Sequence, residues 1–249
     1  MYTLNFISEE NFKKHVLETL KTYNKTLESI DLRKFNKNLI DPIKLLFDKN
    51  IYHKTFDEII QLEITRQRDK TNTNAIGYFH QNVFKYINNC VVPRSGWDVI
   101  YKKGSREIFV EMKNKHNTMN SSSSQRTFIK MQNQILKKPN AFCYLCEVIA
   151  PQTRNIRWNC SVDGVICGSD RIRRVSIDQF YKIVTGENDA FFKMCLQLPK
   201  TIEELVAEND FLQKPKDSVI AELCQKNTNV LKALYLLAFE SYEGFEKLS

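Results

Sequence analysis

The stretch that most constrains the fold is GWDVIYKKGSREIFVEMKNK, residues 96–115. Two segments rich in β-branched and aromatic residues flank Gly104-Ser105. Such a pair favours the two-residue type II′ turn of a β-hairpin. We therefore predict a hairpin with strands at 97–103 and 106–114.

Three charged residues take defined places in this hairpin. Counting outward from the turn, Asp98 lies directly opposite Glu111, and Lys113 shares the face of Glu111. The alternate residues of the second strand, from position 108 to Met112, face the core. Directly opposed carboxylates destabilise a sheet unless something offsets their repulsion, and Mg²⁺ with oxygen ligands would do so. A solvated face with scattered charges is the alternative.

The rest of the chain predicts an α/β fold: a mixed central sheet flanked by helices, with helical N- and C-terminal parts. Periodic apolar positions at 3.6-residue spacing indicate helices in 1–90 and again in 177–249. The core in between, 91–176, alternates with period two. Beyond the hairpin, strands are predicted at 141–149, 155–162 and 172–175, with a helix before the first of these. We predict one domain over 1–249.

Local capping signals predict where several helices begin. Asp41-Pro42 combines a capping carboxylate with a first-turn proline. Thr55 with Glu58 has the spacing of a capping box, as does Thr201 with Glu204. We therefore expect helices to begin at each of these three places.

Composition and charge indicate which class of partner the protein binds and in which cellular compartment it acts. A formal net charge of +8 favours a polyanionic partner. The seven cysteines, without a secretory signal, indicate reduced thiols and a cytoplasmic protein. Cys143 and Cys146 have the spacing of a zinc site, but residues three apart on a strand point to opposite faces, which favours core thiols. No apolar segment reaches the roughly 18 residues of a membrane helix.

The motif Trp97-Asp98 followed by Glu111-Met112-Lys113 resembles that of the PD-(D/E)xK nuclease superfamily, with Trp97 in place of the usual proline. The longer string GWDV…VEMKNKHNTMNSSSSQ is similar to type II restriction endonucleases, in particular a group that cuts GGNCC. The similarity runs from about residue 60 to 200. It implies a restriction-endonuclease-like fold and Mg²⁺-dependent, sequence-specific double-strand cuts in unmethylated DNA.

The resemblance also implies roles for individual residues. Asp98 and Glu111 would bind Mg²⁺, with the Met112 carbonyl as a further ligand, and Lys113 would serve the attacking water. Many members use an acid from a helix before the hairpin. Glu63 fits that role, although a boundary salt bridge is the alternative, and Gln81 is a lesser candidate.

Polar and basic residues after the catalytic strand predict contacts with double-stranded DNA. The segment 114–126 reads as a loop next to the site, and amide, hydroxyl and guanidinium groups are the ones that read base edges. Arg66 begins a second polar-basic segment. The predicted DNA-binding residues are Arg66, Asn114, His116, Asn117, Asn120, Ser121, Ser122, Gln125 and Arg126.

Three functions remain open at this point. The first is a restriction endonuclease, acting as a homodimer because palindromic sites call for two symmetric active sites, and paired with a cognate DNA methyltransferase. The second is a repair nuclease or junction resolvase of the same superfamily. The third is a catalytically decayed DNA-binding module, against which the complete Asp98, Glu111 and Lys113 set argues.

Overall fold

The central hairpin forms as predicted in the computed structural model, which describes residues 2–211 and 216–240. Its ladder runs from Lys103 opposite Arg106 to Val99 opposite Val110. Gly104 has φ +59°, as the first central position of a type II′ turn requires. The predicted register is therefore confirmed.

The hairpin belongs to a mixed sheet of six strands among the described residues, in the order β1-β2-β3-β4-β6-β5. The strands are β1 (Cys90–Val91), β2 (Val99–Lys103), β3 (Arg106–Lys115), β4 (Ala141–Ile149), β5 (Asn155–Val162) and β6 (Val165–Ser176). β3, β4 and β6 are parallel, and the other neighbours are antiparallel. The α/β class is thus confirmed.

Helices form the N- and C-terminal parts, again as predicted. α5 (Ser121–Lys137) lies between β3 and β4. The other helices of the described residues are α1 (Glu9–Lys25), α2 (Leu32–Phe35), α3 (Pro42–Ile51), α4 (Phe56–Asn82), α6 (Ile177–Thr185), α7 (Ala190–Glu208), α8 (Val219–Lys226) and α9 (Val230–Phe239). A 3₁₀ turn at Val83–Tyr86 follows α4. None of the described helices is long and apolar enough to cross a membrane.

The chain divides into two compact units, residues 1–20 with 74–210, and residues 21–73 with 211–249. The first unit contains the sheet. The second is helical and packs its own apolar core, which includes Phe35, Ile60 and Leu234. The single-domain organisation stays a prediction.

Both faces of the sheet are covered within the first unit. Cys143 packs on the face with Phe128 of α5, whereas Cys146 packs on the face with Phe12 of α1 and Phe180 of α6. The two thiols therefore lie on opposite faces of β4, as the strand period requires. This placement explains why their spacing does not make a metal site.

β6 begins earlier than the predicted strand at 172–175. Asp163 and Gly164 both have positive φ, +49° and +85°, so they form a type I′ turn between β5 and β6. An Asp-Gly pair between two apolar segments is the sequence signal of such a hairpin, and it was overlooked.

Two of the three predicted helix starts are confirmed. The carboxylate of Asp41 accepts from the amides at 43 and 44, and Thr55 and Glu58 form the reciprocal bonds of a capping box. The third is wrong, because α7 continues through Pro199 to Glu208. The hydroxyl of Thr201 donates to the Gln197 carbonyl instead, and Thr201 is buried. The apolar face of α7 outweighs the local capping signal.

Two histidines of the first unit should make its stability depend on pH. Burial lowers the pKa of His80 to about 4, and it also lowers that of His15, whose Nε2 donates to the Phe79 carbonyl at 2.9 Å. The unfolded chain binds these protons near pH 6.5, so it holds more protons than the folded chain between about pH 6.5 and pH 4. The stability that the two neutral histidines contribute is therefore fully present above about pH 6.5 and is lost as the pH falls toward about 4.

We expect the free energy of unfolding from urea titration to fall steadily from pH 7 to pH 5. His80→Gln should flatten this slope, whereas His116→Gln, which changes an exposed side chain, should not. Equal slopes for wild type and His80→Gln would contradict the assignment of the pH dependence to His80.

Candidate active site

Asp98 lies one residue beyond the last ladder pair of the hairpin. Its backbone N–H donates to the Val110 carbonyl at 3.0 Å, and its Oδ2 accepts the Met112 N–H at 2.7 Å. The side chain is thereby held against the strand that carries Glu111. The hairpin register has brought the two predicted carboxylates to the same end of the sheet.

Glu111 is held by two lysines. The Nζ of Lys113 donates to Oε1 at 2.9 Å, and the Nζ of Lys130 donates to Oε2 at 2.8 Å. Burial by itself would raise the pKa of Glu111, but these two hydrogen bonds outweigh it, so the pKa lies below its usual value. Glu111 is therefore an anion throughout the neutral range.

The pKa of Asp98 is shifted in the opposite direction, above its usual value. Burial raises its pKa, the Met112 N–H acts against this, and the charge of Glu111 raises it further. None of the described residues donates a hydrogen bond to Asp98 Oδ1. A cation next to that oxygen would supply the compensation that the ionised carboxylate lacks.

Lys130 is a site residue that the sequence analysis missed. It lies on α5, and its Nζ also donates to the Gly96 carbonyl at 2.5 Å and lies 4.2 Å from the centroid of the Trp97 ring. The sequence does contain a signal for Lys130. It lies between Phe128 and Met131, two buried residues of an amphipathic helix, and so at the edge of the face that packs on the sheet.

Of the two helix candidates, Gln81 reaches this site. Its Nε2 donates to the Asp98 carbonyl at 3.3 Å. Glu63 belongs to the second unit, where Arg66 donates to both its oxygens at 2.6 Å and Gln67 donates at 3.0 Å. Glu63 thus forms a salt bridge, which the sequence analysis gave as the alternative to an active-site role. Its role in catalysis stays a prediction, as does DNA contact by Arg66.

Residues 4–207 match the family model of the Eco47II restriction endonuclease. This chain belongs to the Eco47II restriction endonuclease family. It is 32% identical over 231 residues to the type II restriction enzyme Sau96I of Staphylococcus aureus, covering 90% of this chain and 88% of the relative. It is 29% identical over 234 residues to the type II restriction enzyme Eco47II of Escherichia coli, covering 88% and 97%.

In this Eco47II family member the predicted DNA-contact segment is only partly a loop. Asn114 lies in β3, which ends at Lys115, and the segment between β3 and α5 spans 116–120. α5 begins at Ser121 because the Asn120 side chain caps it by accepting the Ser123 N–H at 2.9 Å. The expectation of a loop through to position 126 was therefore wrong.

The first two turns of α5 carry the remaining predicted contacts. Ser121, Ser122 and Arg126 are exposed there, and Gln125 donates to Asp163 at 2.6 Å. Asn120 followed by serines is itself an N-cap signal. The predicted contacts thus lie on the helix that also carries Lys130.

A buried ion cluster fixes the turn between β3 and α5. Glu147 of β4, 1% exposed, accepts hydrogen bonds from Arg154 and Arg174. Arg174 also donates to the His116 carbonyl at 3.4 Å. Arg174 of β6 therefore links the buried Glu147 to the turn that follows Glu111 and Lys113.

Proposed function

We propose that this chain is a Mg²⁺-dependent type II restriction endonuclease that makes sequence-specific double-strand cuts in unmethylated DNA. The observation that carries the proposal is the meeting of Asp98, Glu111 and Lys113 at one end of the sheet of a restriction endonuclease family member. The PD-(D/E)xK superfamily assignment belongs to the same proposal.

The donor set fits a hard divalent cation. Two carboxylates lie on facing strands, and Mg²⁺ commonly takes one or two protein carboxylates together with water and substrate phosphate oxygens. The described residues contain no group of three or more acidic, histidine or cysteine side chains suited to a metal. Asp98 and Glu111 would hold the ion, and the Met112 carbonyl would add a ligand.

The reaction is hydrolysis of a phosphodiester. A water oxygen attacks phosphorus, the bond from phosphorus to the leaving deoxyribose oxygen breaks, and the water proton ends on solvent or on the leaving oxygen. Mg²⁺, when bound, lowers the pKa of the water and offsets charge on the phosphate. Lys113 orients the attacking water or stabilises phosphate charge from its place beside Glu111.

The partners follow from the reaction. The substrate is double-stranded DNA, and a homodimer would cut both strands of a palindromic site. A cognate DNA methyltransferase would protect host sites, and both proteins would act in the cytoplasm. Cleavage at GGNCC is a prediction carried by resemblance alone.

Digestion of plasmid and defined linear DNA with Mg²⁺, followed by sequencing of the ends, tests the proposal. We expect discrete fragments that share one sequence at every cut, no cutting in EDTA, and resistance of DNA methylated at that site. Cutting of four-way junctions regardless of sequence would favour a resolvase. Binding to DNA without any cutting would favour a decayed module.

Changes in the predicted contact segment should alter specific more than nonspecific binding. We expect Asn117→Ala or Arg126→Ala to weaken binding to the cognate site, because one bidentate base contact is worth about 1–3 kcal/mol. Fluorescence anisotropy with cognate and random duplexes measures both affinities.

Lys137→Ala, at the other end of α5, is the matched control and should leave the ratio of the two affinities unchanged. Equal losses on both duplexes for Asn117→Ala and Arg126→Ala would mean that the segment contacts only phosphates.

A further inference from the structure

Lys130 links the strand that carries Glu111 to the segment that precedes Asp98. Its ammonium contacts Glu111 on β3, the Gly96 carbonyl and the ring of Trp97, the residue that immediately precedes Asp98. One side chain of α5 therefore contacts both the strand that carries Glu111 and the segment that leads into Asp98. A lysine serving only solubility would not have three partners of this kind.

A cation and Lys130 compete for the same oxygen. Lys113 occupies Oε1 of Glu111 and Lys130 occupies Oε2, while the Glu111 side chain is only 17% exposed. A metal ion that binds Glu111 meets two ammonium charges at this carboxylate, and the repulsion between like charges favours displacement of one of them. Lys130 would keep its contacts with Gly96 and Trp97 after such a displacement, so it would stay beside the segment that leads into Asp98.

The chain contains the same arrangement a second time, away from the site. Glu107 of β3 is also held by two lysines, Lys102 at 2.8 Å and Lys138 at 2.7 Å. Lys138 follows the end of α5, and its Nζ lies 5.2 Å from the centroid of the Phe109 ring. The ladder places no second carboxylate opposite Glu107, because Lys102 is its partner there.

We propose that Lys130 is a positioning residue of the active site that holds Glu111 and the Gly96-Trp97 segment and yields its bond with Glu111 to the divalent cation. This inference rests on the proposed function, since it requires Glu111 to be a metal ligand. It assigns to α5 a role in setting the affinity for Mg²⁺ as well as in contacting DNA.

Three variants test the role of Lys130. Lys130→Met keeps the apolar stem and removes the charge, Lys130→Arg keeps the charge, and Lys138→Met is the matched control on Glu107. Mg²⁺ binding to the full-length protein without DNA is measured by calorimetry, and cleavage is measured across Mg²⁺ concentrations.

Lys130→Met should bind Mg²⁺ about tenfold more tightly, because a competing positive charge beside the metal is gone. Its cleavage rate at saturating Mg²⁺ should fall about tenfold or more, because the Gly96-Trp97 segment that leads into Asp98 loses the ammonium group that holds it. Lys130→Arg should restore part of both values, and Lys138→Met should match wild type.

Unchanged or weaker Mg²⁺ binding by Lys130→Met, with wild type cutting DNA, would overturn this inference and leave the proposed function standing. Equal effects in Lys138→Met would also overturn it, because the changes would then be those of any lost ion pair. Wild-type protein that neither binds Mg²⁺ nor cuts DNA would overturn the proposed function and this inference with it.

Discussion

Asp98→Asn and Glu111→Gln should each lower Mg²⁺-dependent cleavage by about a thousandfold or more. Each substitution removes one of the two carboxylate charges proposed to bind the ion, and the stabilisation that a metal gives a phosphoryl transition state is worth several kcal/mol. The isosteric amides keep the size of the side chains, so loss of activity reports lost charge. Plasmid cleavage at several Mg²⁺ concentrations measures it.

Without metal, Asp98→Asn should keep or gain stability, whereas Glu111→Gln should lose it. The folded protein binds the Asp98 proton more tightly than the unfolded chain does, so ionised Asp98 costs stability at neutral pH. Asp98→Asn keeps an oxygen for the Met112 N–H and should be as stable as wild type or more stable. Glu111→Gln leaves two ammonium groups without their carboxylate and should lose about 1–3 kcal/mol.

Lys113→Met separates metal binding from chemistry. It should cut poorly while Mg²⁺ still binds, because both carboxylates remain. Urea denaturation in EDTA, run beside the cleavage assay, shows that each variant is folded. Wild-type cleavage rates in folded Asp98→Asn protein would show that the site has been assigned to the wrong residues.

Glu147→Gln should cost about 3–5 kcal/mol of folding free energy, because removing one member of a buried ion cluster leaves the other charges uncompensated. Glu147 is 1% exposed and pairs with both Arg154 and Arg174. The free energy of unfolding from urea denaturation at neutral pH measures this loss.

Glu107→Gln is the control for Glu147→Gln. Glu107 also has two cationic partners, Lys102 and Lys138, but their side chains are about half exposed, 55% and 48%. Pairs near the surface are worth about 0–1 kcal/mol, so this variant should stay close to wild type. Equal losses for the two glutamates would show that burial does not set the cost. Glu147→Gln should also weaken cognate DNA binding, because Arg174 holds the turn at His116.

Local chemistry alone determined the hairpin and its register. The Gly104-Ser105 turn, with alternating side chains on either side, requires Asp98 to face Glu111, and only residues within about ten positions of the turn take part. The caps at Asp41 and Thr55 were predictable for the same reason. Where a local signal competed with burial, as at Thr201 in α7, burial decided the outcome.

Only the tertiary structure decided which charges from distant parts of the chain meet. Lys130 reaches Glu111 across 19 positions, and Arg174 reaches Glu147 across 27. Both contacts depend on how α5 and β6 pack against the parallel pair β3 and β4, whose register comes from the packed core. No spacing rule in the sequence encodes such pairs, because parallel strands are joined through a crossover and their alignment is fixed by side chains distant along the chain.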